Sequence, residues 1–147
     1  MFRNILIPTD GSSLSRKAIR SAVQLAREQK ARVTALYVAP PYNPRVGEDI
    51  AMVHFDSPLA YADKARAEAH RHLRVAEKAA AAAGLSCDTV VAFNDFPFEE
   101  IIRTAARKRC DLICMASHGR RGISRLLLGS ETGKVLAHSK IPVLVVR

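Results

Sequence analysis

Short apolar runs alternate with longer amphipathic stretches along the whole chain. Ile5-Leu6-Ile7, stopped by Pro8, has the length and unbroken apolar character of a strand buried on both faces. Asp10-Gly11-Ser12-Ser13 reads as a turn able to cap a helix, and the spacing predicts that helix over 14–29. Ala18, Ile19, Ala22, Val23 and Ala26 form its single apolar stripe, while Arg16, Arg20 and Arg27 fall elsewhere. A second strand is expected over 33–38, ended by Pro40-Pro41. Residues 39–59 carry four prolines and no helical period, and a connection that long in a compact domain is functional or mobile.

The rest of the chain keeps the rhythm. An alanine-rich helix is expected over 59–83, closed by Gly84, and then a strand at Cys87–Phe93. A helix over 98–109 turns Phe98, Ile101, Ile102 and Ala105 inward. A strand at Leu112–Ala116, a short helix at Ser130–His138 and a last strand over 141–146 complete the series. This order makes an α/β fold: a Rossmann-like open five-stranded parallel sheet with four main helices on both faces, in one domain over 1–147.

In such sheets ligands bind beyond the C-terminal ends of the strands, where the winding reverses. Three segments fall there: Pro8-Thr9-Asp10-Gly11, the Val38-Ala39 exit, and Ser117-His118-Gly119-Arg120-Arg121-Gly122 running on to Gly129-Ser130-Glu131-Thr132. Gly119 and Gly122 allow close backbone approach. Gly129-Ser130 opens a helix whose free N–H groups favour an anion, with Arg120, Arg121 and Arg125 between, so the segment reads as a phosphate cradle. Two lookalikes fail. Gly129-Ser-Glu-Thr-Gly133-Lys134 is one residue short of a P-loop, continues with Val135 and lies within the final helix. Gly119-Arg-Arg-Gly122 lacks the helical and antiparallel surroundings of an RNA-binding GxxG clamp.

Charge sharpens this picture. The 147 residues carry a formal net charge of +9, and 101–147 alone hold 10 basic against 2 acidic side chains. A basic third points to nucleotide, nucleic acid or anionic lipid. With no tryptophan and 5% aromatic residues there is little on which bases could stack, so specific nucleic-acid binding is not expected. No apolar run approaches a membrane span and the first ten residues lack a secretory pattern, so a cytoplasmic protein is expected. Cys87, Cys110 and Cys114 fit neither a redox nor a zinc spacing and read as free thiols, and His70 and His72, two apart on a helix, diverge.

Taken together these residues resemble the universal stress proteins of small single-domain type. The resemblance spans the chain: Ile5-Leu6-Ile7-Pro8-Thr9-Asp10-Gly11-Ser12, Ala35-Leu36-Tyr37-Val38, Pro97-Phe98-Glu99-Glu100-Ile101-Ile102, Cys110-Asp111-Leu112-Ile113, Ser117-His118-Gly119-Arg120-Arg121-Gly122, Leu126-Leu127-Leu128-Gly129-Ser130 and Ile141-Pro142-Val143-Leu144-Val145-Val146. It implies the adenine-nucleotide alpha-hydrolase-like version of the fold and the branch marked by Gly-x2-Gly-x9-Gly followed by Ser or Thr. Gly119, Gly129 and Ser130 match, while Ala116 stands in place of the first glycine.

The resemblance further implies a stress-response regulatory or protective module that binds ATP, or AMP or ADP, with no catalytic residues and at most slow hydrolysis. Pro8, Thr9 and Asp10 would line the nucleotide, Asp10 near ribose, phosphate or magnesium. Val38 would meet adenine through its backbone, and Ala116, His118, Gly119, Arg120 and Gly122 would wrap ribose and phosphates. Gly129, Ser130, Glu131 and Thr132 would cap the phosphates. A homodimer through Val143, Leu144, Val145 and Val146 is implied as well, sensible for an apolar strand at a sheet edge. Ala116 also keeps open a branch that binds no nucleotide and acts through dimerisation and protein partners.

Overall fold

The computed structural model describes residues 1–44, 57–120 and 128–147. Five parallel strands lie in the order β3-β2-β1-β4-β5: β1 (Asn4–Pro8), β2 (Arg32–Ala39), β3 (Cys87–Phe93), β4 (Leu112–Ala116) and β5 (Val143–Val146). The helices are α1 (Ser13–Gln29), α2 (Pro58–Ala82), α3 (Pro97–Arg107) and α4 (Ser130–His138). Alternation along the strands divides the core in two. Ile5, Ile7, Leu112 and Cys114 pack with Ile19, Ala22, Leu73 and Ala76 of α1 and α2. Leu6, Leu36, Ile113 and Met115 point the other way, to Ile101 and Ala105 of α3 and Val135 of α4.

The chain winds outward from β1 in one direction through β2 and β3, then returns to start again at β4. That reversal sets β1 beside β4. Their pairing is confined to Ile5–Leu112 and Leu6–Ile113, whereas β1 stays paired with β2 as far as Pro8–Leu36. Beyond Leu6 and Ile113 the two central strands part, and a crevice opens between their C-terminal ends.

Several boundaries differ from the sequence reading, each for a local reason. Helix α1 is capped by Ser12, whose Oγ accepts from the Ser15 N–H at 3.1 Å, so Asp10 lies outside the helix. Helix α2 starts at Pro58 behind an equivalent cap from Ser57, and Gly84 leaves it at φ +73°. Helix α3 stops at Arg107, and Arg109 turns the chain in the left-handed region at φ +53°. Its buried face is Glu100, Ile101, Thr104 and Ala105, whereas Phe98 and Ile102 are only half-buried. The Glu100 carboxylate, 3% exposed, accepts from Thr104 Oγ1 and Arg103 Nη1, which is how a charge survives on that face. Strand β5 begins at Val143, not 141: Pro142 has no N–H to give the ladder and the Ile141 N–H is taken by Ser139 Oγ.

Strand β5 forms one edge of the sheet, with Leu144 exposed and Val143, Val145 and Val146 half-buried. Among the described residues no helix is long and apolar enough to cross a membrane.

Candidate functional site

A cleft of about 690 Å3 occupies the crevice at the strand ends, a size suited to a small organic ligand. Its floor is apolar, built from Leu36 and Val38 of β2, Met115 and Ala116 of β4 and Ile101 of α3. The polar rim comes chiefly from the β1–α1 turn and the β4–α4 connection, with Asn94 and Asp95 of the β3–α3 loop beside them.

The β1–α1 turn is braced by one bond to β2 and by bonds among its own residues. Thr9 N–H donates to the Leu36 carbonyl at 2.9 Å, and Thr9 Oγ1 lies 3.0 Å from Ser15 Oγ and accepts from the Gly11 N–H at 3.2 Å. Asp10 Oδ1 accepts from the Ser12 N–H at 2.9 Å, closing a short Asx-type turn. Gly11 adopts φ +79°, a conformation open to glycine at little cost.

The β4–α4 connection is held from outside. Gly129 N–H donates to the Ser117 carbonyl at 2.8 Å, and Ser117 N–H donates to Val146 at the end of β5. The approach is so close that a Cβ on residue 129 would sit 2.9 Å from His118 Cα and 3.1 Å from the Ser117 carbonyl oxygen. Gly129 is the N-cap of α4, and the N–H groups of its first turn, Ser130, Glu131 and Thr132, open at the cleft. Arg120 N–H donates to Asp10 Oδ2 at 2.7 Å, joining the two loops, and a Cβ on residue 119 would lie 2.6 Å from that same oxygen.

Burial by itself would raise the Asp10 carboxyl. The hydrogen bonds from Ser12 and from the Arg120 N–H outweigh it and hold the group below its ordinary value, so it is a carboxylate at neutral pH. The thiols go the other way: burial pushes Cys87 and Cys114 up to about 11 and raises Cys110, so none is a nucleophile at neutral pH. All three are free. Among the described residues no group of three or more His, Cys, Asp or Glu side chains is arranged to hold a metal ion.

Twelve of the thirteen residues expected to bind nucleotide line this one cleft: Pro8, Thr9, Asp10, Val38, Ala116, His118, Gly119, Arg120, Gly129, Ser130, Glu131 and Thr132. The thirteenth, Gly122, lies outside the described residues, as do Arg121 and Arg125. Six of the twelve use their side chains on the protein itself: Thr9 and Asp10 as described, His118, whose Nδ1 lies 3.1 Å from Ser117 Oγ, and then Glu131, Thr132 and Arg120. Glu131 Oε2 accepts from the Phe98 N–H at 2.9 Å, capping α3 from across the cleft. Thr132 Oγ1 donates to the Ala116 carbonyl at 2.9 Å. The Arg120 guanidinium turns to α2, where it meets His72 and Glu68. Sequence reasoning missed Ser15, Asn94, Asp95 and Pro97, which also line the cleft. Ser15 comes from the first turn of α1 and the other three from the β3–α3 loop and the start of α3, and no local pattern marks them.

Comparison with known proteins agrees along the whole length. The family model described as "Universal stress protein family" matches residues 1–147. Universal stress protein YxiE of Bacillus subtilis is 35% identical over 151 residues, covering 100% of both chains. Universal stress protein MJ0531 of Methanocaldococcus jannaschii is 33% identical over 147 residues, 100% of this chain and 83% of the relative. Among solved structures, MJ0577 from the same archaeon superimposes with a TM-score of 0.82 at 27% identity, covering 99% of this chain and 96% of that one. Two more distant structures share the fold. A universal stress protein in complex with cAMP has a TM-score of 0.72 at 24% identity, covering 99% and 97% of the two chains. One from Archaeoglobus fulgidus in complex with dAMP has 0.72 at 17% identity, covering 99% and 98%. With the match running from the first strand to the last, and through both loops that frame the cleft, the chain belongs to the universal stress protein family.

Proposed function

We propose that this cleft binds ATP or another adenine nucleotide and that the protein serves as a nucleotide-dependent regulatory or protective module in a stress response. The observation that carries the reading is the close approach of Gly129 to Ser117 and His118, which brings the first turn of α4 to the same cleft as the apolar floor. A helix N-terminus offers N–H donors and a favourable dipole to phosphate, and Leu36, Val38, Ile101 and Met115 offer a purine an apolar slot. Two proteins of the same fold were solved in complex with cAMP and with dAMP, which supports an adenine nucleotide as the ligand.

Ala116 adds one methyl where the motif has glycine, and its carbonyl already receives Thr132 Oγ1, so the backbone there is held in place. Asp10 accepts two N–H groups, and a magnesium ion between it and the phosphates would have to share that carboxylate. We read the site as one of binding and orientation, with ATP hydrolysis at most slow. Calorimetry of the purified protein with ATP and magnesium tests the reading: saturable heat with a matching thermal shift is expected, and heat equal to buffer dilution with no shift would reject it.

The exposed apolar edge of β5 favours self-association through Val143, Leu144, Val145 and Val146. Light scattering at micromolar concentration should give the mass of a dimer, and a monomer mass would reject that part.

A further inference from the structure

The residue that holds the Arg120 loop comes from an element with no other part in the site. His72 lies midway along α2, its ring stacked on Tyr37 of β2 with centroids 5.4 Å apart and planes at 10°. Its Nδ1 edge abuts Gly11: a Cβ there would come within 2.2 Å of Nδ1 and 2.3 Å of Cε1. The opposite edge faces the cleft rim, where Nε2 lies 2.8 Å from Arg120 Nη2. A guanidinium can only donate, so Nε2 accepts, the ring is neutral, and its one proton is on Nδ1.

Arg120 is thereby anchored twice. Its N–H is on Asp10 and its guanidinium is on α2, with Glu68 Oε1 at 3.8 Å completing the grip. The two anchors fix the course of His118 and Gly119, which pass directly along the cleft. We propose that His72 is a positioning residue for nucleotide binding: its neutral ring, wedged between Tyr37 and Gly11, holds Arg120 and so holds the 117–120 loop in its ligand-ready course. The proposal deepens the nucleotide reading and rests on it for the ligand.

The groups around His72 define what protonation does. Glu68 and Arg71 stand on α2, Tyr37 on β2, Asp10 and Arg16 at the β1–α1 turn, and Arg120 on the β4–α4 connection. A proton on Nε2 sets a donor against a donor and a cation beside the guanidinium. Glu68 Oε1, 3.6 Å from Nε2, is positioned to take the imidazolium. Arg120 then loses its His72 acceptor and must share Glu68 with the imidazolium, so the guanidinium anchor on α2 weakens while the anchor on Asp10 remains.

Two measurements on the full chain test this. In the ligand-free protein at pH 8, 15N spectra should show the His72 ring protonated on Nδ1 with a bare Nε2, and Arg120→Ala should remove that preference. An Nε2-protonated ring in the wild-type protein overturns the proposal. ATP calorimetry from pH 5.5 to 8.5 supplies the functional arm, in wild type, His72→Gln and His72→Ala. The Gln amide oxygen replaces the acceptor without titrating. At pH 8, His72→Ala should weaken ATP about fivefold while His72→Gln stays within about twofold of wild type. On acidification wild type should weaken about fivefold relative to His72→Gln, a ratio from which the protonation of ATP itself cancels. A wild-type to His72→Gln ratio that is flat with pH, or equal affinity in all three proteins, overturns the proposal. If ATP binds none of them at any pH, it is the nucleotide reading that fails, and the ring tautomer still decides the geometry.

Discussion

The two loops that rim the cleft reach the same place by different means. The β1–α1 turn organises itself: Asp10 reaches Ser12, Thr9 reaches Gly11, and Ser12 caps the helix it opens, all within six residues. The β4–α4 connection draws its order from elsewhere. Its start is held by the end of β5, Arg120 by Asp10 and by α2, and its end by the Ser117 carbonyl. The turn draws most of its described hydrogen bonds from its own residues, with Leu36 and Arg120 adding one each, whereas those of the second loop come chiefly from β5, Asp10 and α2. The anion-facing side of the cleft therefore depends more on long-range packing than the turn does.

The largest effect is expected at Gly129. A valine there would drive its Cβ into His118 and the Ser117 carbonyl, which are backbone or near-backbone atoms that cannot step aside. ATP binding should fall below detection by calorimetry while far-UV circular dichroism keeps the α/β signature, because the damage is confined to the packed-together loop. Retained micromolar binding would mean that α4 does not need to approach so closely.

Gly11 probes where the self-organised turn meets the rest of the fold. Gly11→Ala suffers twice, from φ +79° and from the His72 ring in its path. A loss of about 1–3 kcal/mol is expected, read as a lowered midpoint in urea. In the double variant with His72→Ala the steric part should vanish and only the backbone part remain, so the two changes should not add. Strict additivity would show that ring and turn do not press on one another.

Asp10 joins the loops, and pH reads the joint. Its carboxyl is lowered in the folded protein, so its contribution to stability is full above the ordinary value of 3.8 and is lost as pH falls through the lowered one. Acid unfolding in urea between pH 5 and pH 2 should be less steep in Asp10→Asn than in wild type. Identical slopes would place the acid sensitivity elsewhere.

The smallest change belongs to Ala116, which is 8% exposed at the end of β4. Ala116→Gly should tighten ATP by about threefold if the methyl crowds the ligand, offset in part by the freer backbone. Unchanged affinity would mean the methyl never touches it.

The differences in how the loops are built explain what could be read in advance. The turn Asp10-Gly11-Ser12-Ser13 precedes an apolar helical stripe, so a capped start is legible there, and the fold selects Ser12 of the four for the role. Gly119, Gly129 and Ser130 were legible as a spaced set because close backbone approach selects for glycine. His72 was not legible: its immediate neighbours on α2 are Arg71 and Leu73, and its partners Tyr37, Gly11 and Arg120 are 35, 61 and 48 residues away in sequence. Glu131 is expected beside phosphate; it lines the cleft, and its carboxylate also caps α3, whose own N-cap Phe96 has no side chain that can do so, a role its sequence position does not reveal.

By itself the sequence determined the alternation of strands and helices, the two-sided burial of Ile5-Leu6-Ile7, and the ends at which a ligand would be met. Those features depend on the period of apolar residues and on turn chemistry, both of which act over a few positions. Tertiary structure alone decided that β1 and β4 part beyond Leu6 and Ile113 and that the arginine at position 120 turns to α2 rather than into the cleft. The reason is one of range: these outcomes are set by hydrogen-bond partners brought together from distant parts of the chain, and the pairings exist only once the sheet has closed around them.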